Sequence, residues 1–300
     1  DVSTGGDTRR VEGHMIDEYF LRRPYKGDGS YKLADGSVNP KGGPRDGMIR
    51  TKADLDWVAA MMAAGYTFNN NLKNIGSNGS NLWYGDLIMD DVNGDGKYGN
   101  DDDREFTGKS STPKVTLGLN ITAAWRGFDL NMTWSGRFGG YHYLNSKGAN
   151  GSMITNVGDA LPGDAWNKFY FYDSEASHAG IIKDENGTII GSSYDPATDP
   201  NANISNEYPR LLTSGGTTPS NTFYLYNTSF FKLKSLQIGY TLPKKWIAPA
   251  KISNLRVFVS GENLLTIKSS RFPGVDPELG SSLAVYPIAR MFSGGLSVTF

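Results

Sequence analysis

An acidic segment, Asp91–Asp102, has the residue types and spacing of a calcium-binding loop. Hard oxygen ligands on alternate residues can converge on one cation, and Gly96 at the sixth position permits the sharp turn that such a loop needs. Lys97 would contribute its backbone carbonyl. The candidate ligands are Asp91, Asn93, Asp95, Lys97 and Asp102. The pattern predicts a calcium ion with a structural role.

The twelfth position of this loop departs from the usual pattern, because Asp102 stands where a glutamate is expected. An aspartate reaches less far, so we expect modest affinity, and Asp101 or Asp103 could take its place. The alternative interpretation is a solvated acidic turn that holds no ion.

Several aromatic residues lie in long segments that show no strand periodicity. Aromatic faces stack on sugar rings and are common in ligand sites, so four of them are candidate substrate contacts: Trp83, Tyr84, Trp166 and Tyr170. The alternative is that these side chains pack the segments against one another or against a partner protein.

The sequence contains no recognisable catalytic constellation. The three histidines, His14, His142 and His178, are scattered, and neither a serine nucleophile motif nor a phosphate-binding glycine loop is present. Cysteine is absent, which excludes disulfides and zinc–thiolate sites. The net charge of −1 gives no electrostatic reason to expect nucleic acid as a partner. We therefore predict a protein that is not an enzyme.

Two hairpins should provide the framework for these residues. Val115–Trp125 alternates apolar and polar residues with period two, Arg126–Gly127 forms a two-residue turn, and the next strand presents apolar residues at 128, 130, 132 and 134. The second hairpin is predicted from Phe230–Leu242 and Leu255–Ile267. A short amphipathic helix is predicted at Thr51–Gly65.

Lys232 and Lys234 share the parity of the apolar residues in their strand. A lysine at the centre of a lipid-facing strand costs about 2–4 kcal/mol, against about 0–1 near an interface. Either both lysines lie at the outer rim, where they could meet lipid phosphates, or a bulge near Ser235 switches the faces.

The last strand, Arg290–Phe300, alternates apolar residues and ends in phenylalanine, like the assembly signal of outer-membrane barrels. The alternative is the edge strand of a soluble β-sandwich. The 37 glycines and 12% aromatics suit a turn-rich β protein, and a mean hydropathy of −0.42 suits strands in which only alternate residues face lipid. Residues 67–114, 137–222 and 268–289 are predicted to be extracellular loops.

Together, five segments resemble the C-terminal third of the SusC-like TonB-dependent transporters. They are Asp90–Gly96, Ser229–Pro243, Leu255–Thr266, Phe272–Glu278 and Tyr286–Arg290. The resemblance implies an all-β fold, an antiparallel transmembrane β-barrel of ~22 strands around a plug. Residues 1–300 would supply about 7–8 of those strands. The plug, the TonB box and the signal are expected upstream, so that this chain would be a fragment, a nicked chain or the ordered part of a longer protein.

The resemblance further implies import of oligosaccharides or peptides across the outer membrane of a Gram-negative bacterium. The expected partners are the N-terminal remainder of the barrel with its plug, a SusD-like lipoprotein, TonB, and lipid or lipopolysaccharide. Two alternatives remain open at this point. One is a self-contained small barrel serving as an anchor or adhesin, and the other is a secreted calcium-binding β-sandwich that binds or cleaves glycans.

Overall fold

The computed structural model describes residues 8–143, 168–204, 207–210, 218–272, 276–279, 286 and 288–300. The chain divides into two compact units. Unit 1 comprises Asp1–Gly108 and Tyr143–Leu225, and unit 2 comprises Lys109–His142 and Tyr226–Phe300. No helix within the described residues is long and apolar enough to cross a membrane.

The described residues are mostly strand with little helix, which confirms the predicted all-β class. The strands are β1 Thr8–Arg9, β2 Glu18–Leu21, β3 Thr67–Phe68, β4 Lys97–Tyr98, β5 Glu105–Ser110, β6 Val115–Trp125, β7 Phe128–Phe138, β8 Tyr141–Tyr143, β9 Phe169–Tyr170, β10 Ile181–Lys183, β11 Ile189–Ser192, β12 Tyr208–Arg210, β13 Leu225–Asn227, β14 Phe230–Thr241, β15 Asn254–Lys268 and β16 Met291–Thr299. The helices are α1 Lys52–Ala63, α2 Ser174–Ala179 and α3 Lys244–Ile247.

Unit 2 is built on one antiparallel sheet of five strands in the order β16-β15-β14-β7-β6. The predicted hairpin β6–β7 is confirmed, with β6 at the predicted bounds and β7 extending to Phe138, two residues into the predicted loop 137–222. Its turn residues Arg126 and Gly127 have φ values of 48° and 90°, the left-handed pair that a tight two-residue hairpin turn requires. The long strands predicted at 230–242, 255–267 and 290–300 are also confirmed, each within one or two residues. The seven or eight strands expected for this part of a barrel are not confirmed, because the described residues place five in this sheet.

A bulge in β14 resolves the problem of the two lysines. The register of β14 against both neighbouring strands shifts between Leu233 and Ser235, which confirms the second of the two predicted explanations. On one side of the shift Leu236 pairs with Met132, and on the other Leu233 pairs with Trp134. Before the shift, the apolar residues of β14 are therefore odd-numbered, and after it they are even-numbered. Lys232, which precedes the shift, consequently falls on the opposite face.

The sheet has one continuous apolar face, because every register aligns apolar residues across all five strands. We call this surface the apolar face. Three of its rows, each given from β6 to β16, are Ile121-Met132-Leu236-Gly261-Phe292, Ala123-Leu130-Ile238-Val259-Gly294 and Trp125-Phe128-Tyr240-Val257-Leu296. Many of these side chains are exposed, for example Val259 at 59% and Leu296 at 68%. An apolar surface of this extent marks a site covered by protein or lipid.

The opposite face is polar and contains an ion pair near the end of the sheet that holds the Arg126–Gly127 turn. Arg256 binds the Asp129 carboxylate through two nitrogens, at 2.9 and 2.5 Å, and also donates to Gln237. Gly239 lies between the strands that carry them, where a Cβ atom would come within 2.5 Å of both charged groups. The pair can form because this position has no side chain.

Unit 1 surrounds a core that the sequence patterns did not predict. Its buried cluster joins residues of helix α1, including Leu55, Trp57 and Val58, to residues from distant segments such as Trp83 and Tyr170. Helix α1 begins after Thr51, whose side chain accepts from Asp54 N while Asp54 caps the Thr51 amide in return. The predicted helix is confirmed. The described residues of unit 1 also include much of the segments 67–114 and 137–222, whose prediction as extracellular loops stays a prediction.

Candidate functional site

The acidic turn is organised around Asp91, which lies in unit 1. Its Oδ1 accepts the backbone amides of Gly94 (2.7 Å) and Asp95 (3.1 Å), and its Oδ2 accepts that of Gly96 (2.9 Å). Gly94 and Gly96 have φ values of +77° and +81°, conformations that favour glycine. The first, third and fifth predicted ligands therefore share one tight turn.

Asp103, rather than Asp102, lies beneath this turn. Its carboxylate is fully buried and accepts the amides of Val92 (2.7 Å), Gly99 (2.8 Å) and Asn100 (3.0 Å). Burial raises the pKa of Asp103, and the amide hydrogen bonds offset only part of this effect. Asp102 is exposed in the short 3₁₀ helix Asp101–Asp103.

The donor set of the turn fits a cation in part. Asp95 Oδ1 accepts a hydrogen bond from Lys97 N, and its Oδ2 accepts one from Asn100 Nδ2. Asp91 and Asp95 therefore both already accept hydrogen bonds from backbone or side-chain amides. A carboxylate has about four acceptor positions in all, so some stay available for a cation. Within the described part of the chain, no three His, Cys, Asp or Glu side chains are grouped as metal ligands. Calcium binding, which would also use Asn93 and the Lys97 carbonyl, stays a prediction.

Three of the four candidate substrate aromatics are core residues. Trp83, Tyr84 and Tyr170 are at most 1% exposed, and burial raises the pKa of both tyrosines. Their polar atoms are satisfied, because Trp83 Nε1 donates to Ser177 Oγ, and the two tyrosine hydroxyls donate to backbone carbonyls. The structure thus favours the alternative that these residues pack the unit, since substrate stacking would require the core to open. Trp166 lies outside the described residues.

A buried ion pair supports the same aromatic core. Arg210 Nε and Nη2 bind the two oxygens of Asp86 at 2.8 and 2.7 Å, and both side chains are about 5% exposed. Asp86 also accepts the Trp83 amide. Sequence reasoning missed this pair because its members are separated by 124 residues and no local motif joins them.

The two lysines of β14 have acidic partners in the segment after β15. Lys232 is 1% exposed and binds Asp276 and Glu278, and Lys234 binds both oxygens of Glu278 at 2.5 and 2.6 Å. The expectation that both lysines meet lipid phosphates is therefore wrong for Lys232, because its ammonium group is enclosed by carboxylates of the same chain. The motif that supplies them, Phe272–Glu278, was recognised only as a family signature.

A polar cavity in unit 1 was not indicated by the sequence. It has a volume of about 610 Å³ and is lined by ten described residues: Arg22, Asn70, Asn71, Asn100, Asp101, Arg104, Tyr143, Thr218, Pro219 and Ser220. We call it the Arg22 cavity. Its lining comes from five separate stretches of chain, which explains why local patterns gave no signal for it.

Comparison with known proteins supports the family resemblance, although no protein-family model matches the chain. The chain is 26% identical over 235 residues to TonB-dependent receptor P3 of Formosa agariphila, a match covering 72% of this chain and 19% of that protein. It is 27% identical over 137 residues to TonB-dependent receptor SusC of Bacteroides thetaiotaomicron, covering 45% of this chain and 13% of that protein.

Among solved structures, the structure of the RagAB peptide transporter has the same fold, with a TM-score of 0.52 at 19% identity. That match covers 100% of this chain and 24% of the other. The chain thus spans a fifth or less of the length of the two curated relatives. These similarities confirm what the sequence motifs indicate: the chain is similar to a part of the SusC-like TonB-dependent transporters.

Proposed function

We propose that this chain forms part of an outer-membrane nutrient importer of the SusC type, with its five-stranded sheet in the transmembrane wall. The observation that carries the proposal is the apolar face, which runs without interruption across all five strands. A transmembrane barrel presents such a face to lipid and a polar face to its lumen. The Asp129–Arg256 pair lies on the face that would line the lumen.

The partners and cargo of the importer follow from the family resemblance. The remainder of the barrel with its plug would complete the wall, a SusD-like lipoprotein would cap the outer side, and TonB would supply energy. The cargo class is oligosaccharides or peptides. In this arrangement residues 67–114, 137–222 and 268–289 are extracellular loops.

The two alternative functions make different demands on the apolar face. A secreted β-sandwich would bury it against a second sheet, yet the described residues leave Val259 and Leu296 more than half exposed. This exposure favours a membrane protein. A self-contained small barrel shares the apolar face with the importer, so the two functions differ in how the edges of the sheet are closed.

The orientation of the sheet can be tested in the full-length protein with single cysteines placed in this chain, which contains none of its own, once any cysteine elsewhere has been replaced by serine. Val259→Cys and Ser260→Cys lie next to each other on opposite faces. Each variant is labelled with a fluorophore and reconstituted in liposomes containing nitroxide-labelled lipids. We expect strong quenching at residue 259 and little at residue 260. Equal quenching at the two positions, or none at residue 259, would contradict a lipid-facing apolar surface.

We also propose that the Asp91 turn binds calcium. Support comes from the shared turn of Asp91, Asn93 and Asp95 and from the glycine conformations that shape it. In the full-length protein, calcium should slow tryptic cleavage after Lys97, and a chelator should restore it. Asp95→Asn removes one charged ligand and should abolish the protection. Asp184→Asn alters a similar turn, in which Asp184 accepts two backbone amides, and should not. Identical cleavage with calcium and with chelator would show that the turn holds no ion.

A further inference from the structure

The Arg22 cavity has an arginine held rigidly in its wall. Arg22 is 2% exposed. Its Nε donates to the Asn100 carbonyl at 2.7 Å, and its Nη2 donates to Asp101 Oδ1 at 2.7 Å and to Asn70 Oδ1 at 3.3 Å. The remaining nitrogen, Nη1, has no hydrogen-bond partner among the described residues. A buried guanidinium with one unused donor group is a fixed binding element for an acceptor in the cavity.

The charge of the cavity wall favours an anion. Two guanidinium groups, Arg22 and Arg104, line it together with a single carboxylate, that of Asp101. Burial lowers the pKa of Arg22, and so does the neighbouring charge of Arg104, whereas Asp101 raises it. Asp101 Oδ1 lies 2.7 Å from Arg22 Nη2 and 3.2 Å from Arg104 Nε. Asp101 balances one of these two positive charges, so the partly desolvated wall keeps one net positive charge, which favours a negative group in the cavity.

The backbone beside the cavity adopts an uncommon conformation. Asn69, Asn70 and Asn71 have successive φ values of 41°, 62° and 67°, a left-handed run that costs energy at each residue. Asn69 is held in place by its side chain, which donates to the Leu87 carbonyl at 2.6 Å and accepts the Met89 amide at 3.1 Å. This anchor keeps the side chains of Asn70 and Asn71 at the cavity. Strained backbone of this kind concentrates at binding sites.

We propose that the Arg22 cavity binds a carboxylate group of a small ligand or of a chain end. Planar guanidinium groups match the two oxygens of a carboxylate. The side-chain amides of Asn70 and Asn71 offer further donors for the rest of the ligand. A carboxylate can come from the free C-terminus of a peptide or from a uronic acid, and the chemistry of the site is the same for both. The assignment concerns binding alone and does not require that the protein transports the ligand.

Binding should be measured by calorimetry on the full-length protein in detergent. The probes are an acetylated tripeptide with a free C-terminus, the same peptide as its C-terminal amide, glucuronate, and glucose. We expect the free acid to bind at least roughly tenfold more tightly than its neutral analogue, because a hydrogen bond to a charged group contributes about 1.5–3 kcal/mol. Preference for the peptide acid or for glucuronate identifies the source of the carboxylate. Equal binding of acid and neutral forms, or binding of neither acid, overturns the proposal.

Two variants and one control place the binding in this cavity. Arg22→Lys keeps the charge but loses the planar fork, and Arg104→Gln removes a charge nearer the surface. Both should weaken binding of the acid at least roughly tenfold. Arg23→Gln is the matched control, because Arg23 pairs with Asp90 and Glu105 and does not line the cavity. The affinity of this variant for the acid should be unchanged. If Arg22→Lys does not fold, Arg104→Gln and the comparison of acid with amide still decide the question. Unchanged affinity in Arg104→Gln would overturn the proposal.

Discussion

Lys232 illustrates how a single charge is accommodated in a strand of the sheet. The sequence predicts its position and the bulge, but not its partners, because Asp276 and Glu278 lie 44 and 46 residues away. A buried ammonium is costly unless it is paired, and the two carboxylates meet that requirement. The same pairing ties the segment after β15 to the strand before it.

Removing one member of this cluster should therefore destabilise the protein strongly. We expect Lys232→Ala to lower the free energy of unfolding by about 3–5 kcal/mol, because it leaves Asp276 buried without a counter-charge. Lys234→Ala is the control, since that side chain is 31% exposed and such pairs contribute about 0–1 kcal/mol. Urea unfolding of the full-length protein, followed by tryptophan fluorescence, measures both. Similar losses in the two variants would contradict the role assigned to Lys232.

At the scale of elements, local sequence patterns predicted the strands and turns that depend on neighbouring residues alone. Period-two alternation set the bounds of β6 and β7, and the Arg126–Gly127 turn fixed their register. The core of unit 1 could not be predicted in this way. Its packing joins residues such as Trp57, Trp83 and Tyr170 that are far apart in sequence and follow no common period. For the same reason, local patterns did not indicate the Arg22 cavity, whose lining comes from five separate stretches of chain.

Close packing between these distant segments can be tested at a glycine. Gly85 has φ +82°, and an added Cβ would lie 2.5 Å from the Tyr170 ring and 2.8 Å from Arg210 Cβ. Gly187 has nearly the same φ, +81°, with nothing within 4 Å. Both alanine variants carry the cost of a left-handed residue, roughly 1–2 kcal/mol. Only Gly85→Ala should add an overpacking cost, about 1–3 kcal/mol.

The comparison of Gly85→Ala with Gly187→Ala isolates the packing cost, because the backbone cost is shared. Chemical denaturation of the full-length protein, followed by near-ultraviolet circular dichroism, reports on the aromatic core directly. Equal destabilisation by the two substitutions would mean that Tyr170 moves away at no cost, and that the core of unit 1 is looser than described.

At the scale of the whole molecule, the decisive feature is that the five-stranded sheet has two edges. Within the described residues, the sheet order places β6 and β16 at its ends, each with one neighbouring strand. An open edge facing hydrocarbon leaves backbone groups unpaired at several kcal/mol each. If the sheet lies in the membrane as proposed, it needs further strands to close it. The two curated relatives, of which this chain spans a fifth or less, are long enough to contain such strands.

This requirement separates a wall segment of an importer from a self-contained small barrel. We expect residues 1–300 alone, refolded into detergent or lipid vesicles, to stay sensitive to protease across β6 and β16. Refolding together with the upstream portion of the full-length protein should protect both strands, because the partner pairs with the exposed edges. Protease mapping by mass spectrometry reads each strand separately, and β14, which has two neighbours, serves as the internal reference. If residues 1–300 alone protect β6 and β16 as well as β14, the edges close on this chain itself, and the small-barrel alternative replaces the importer.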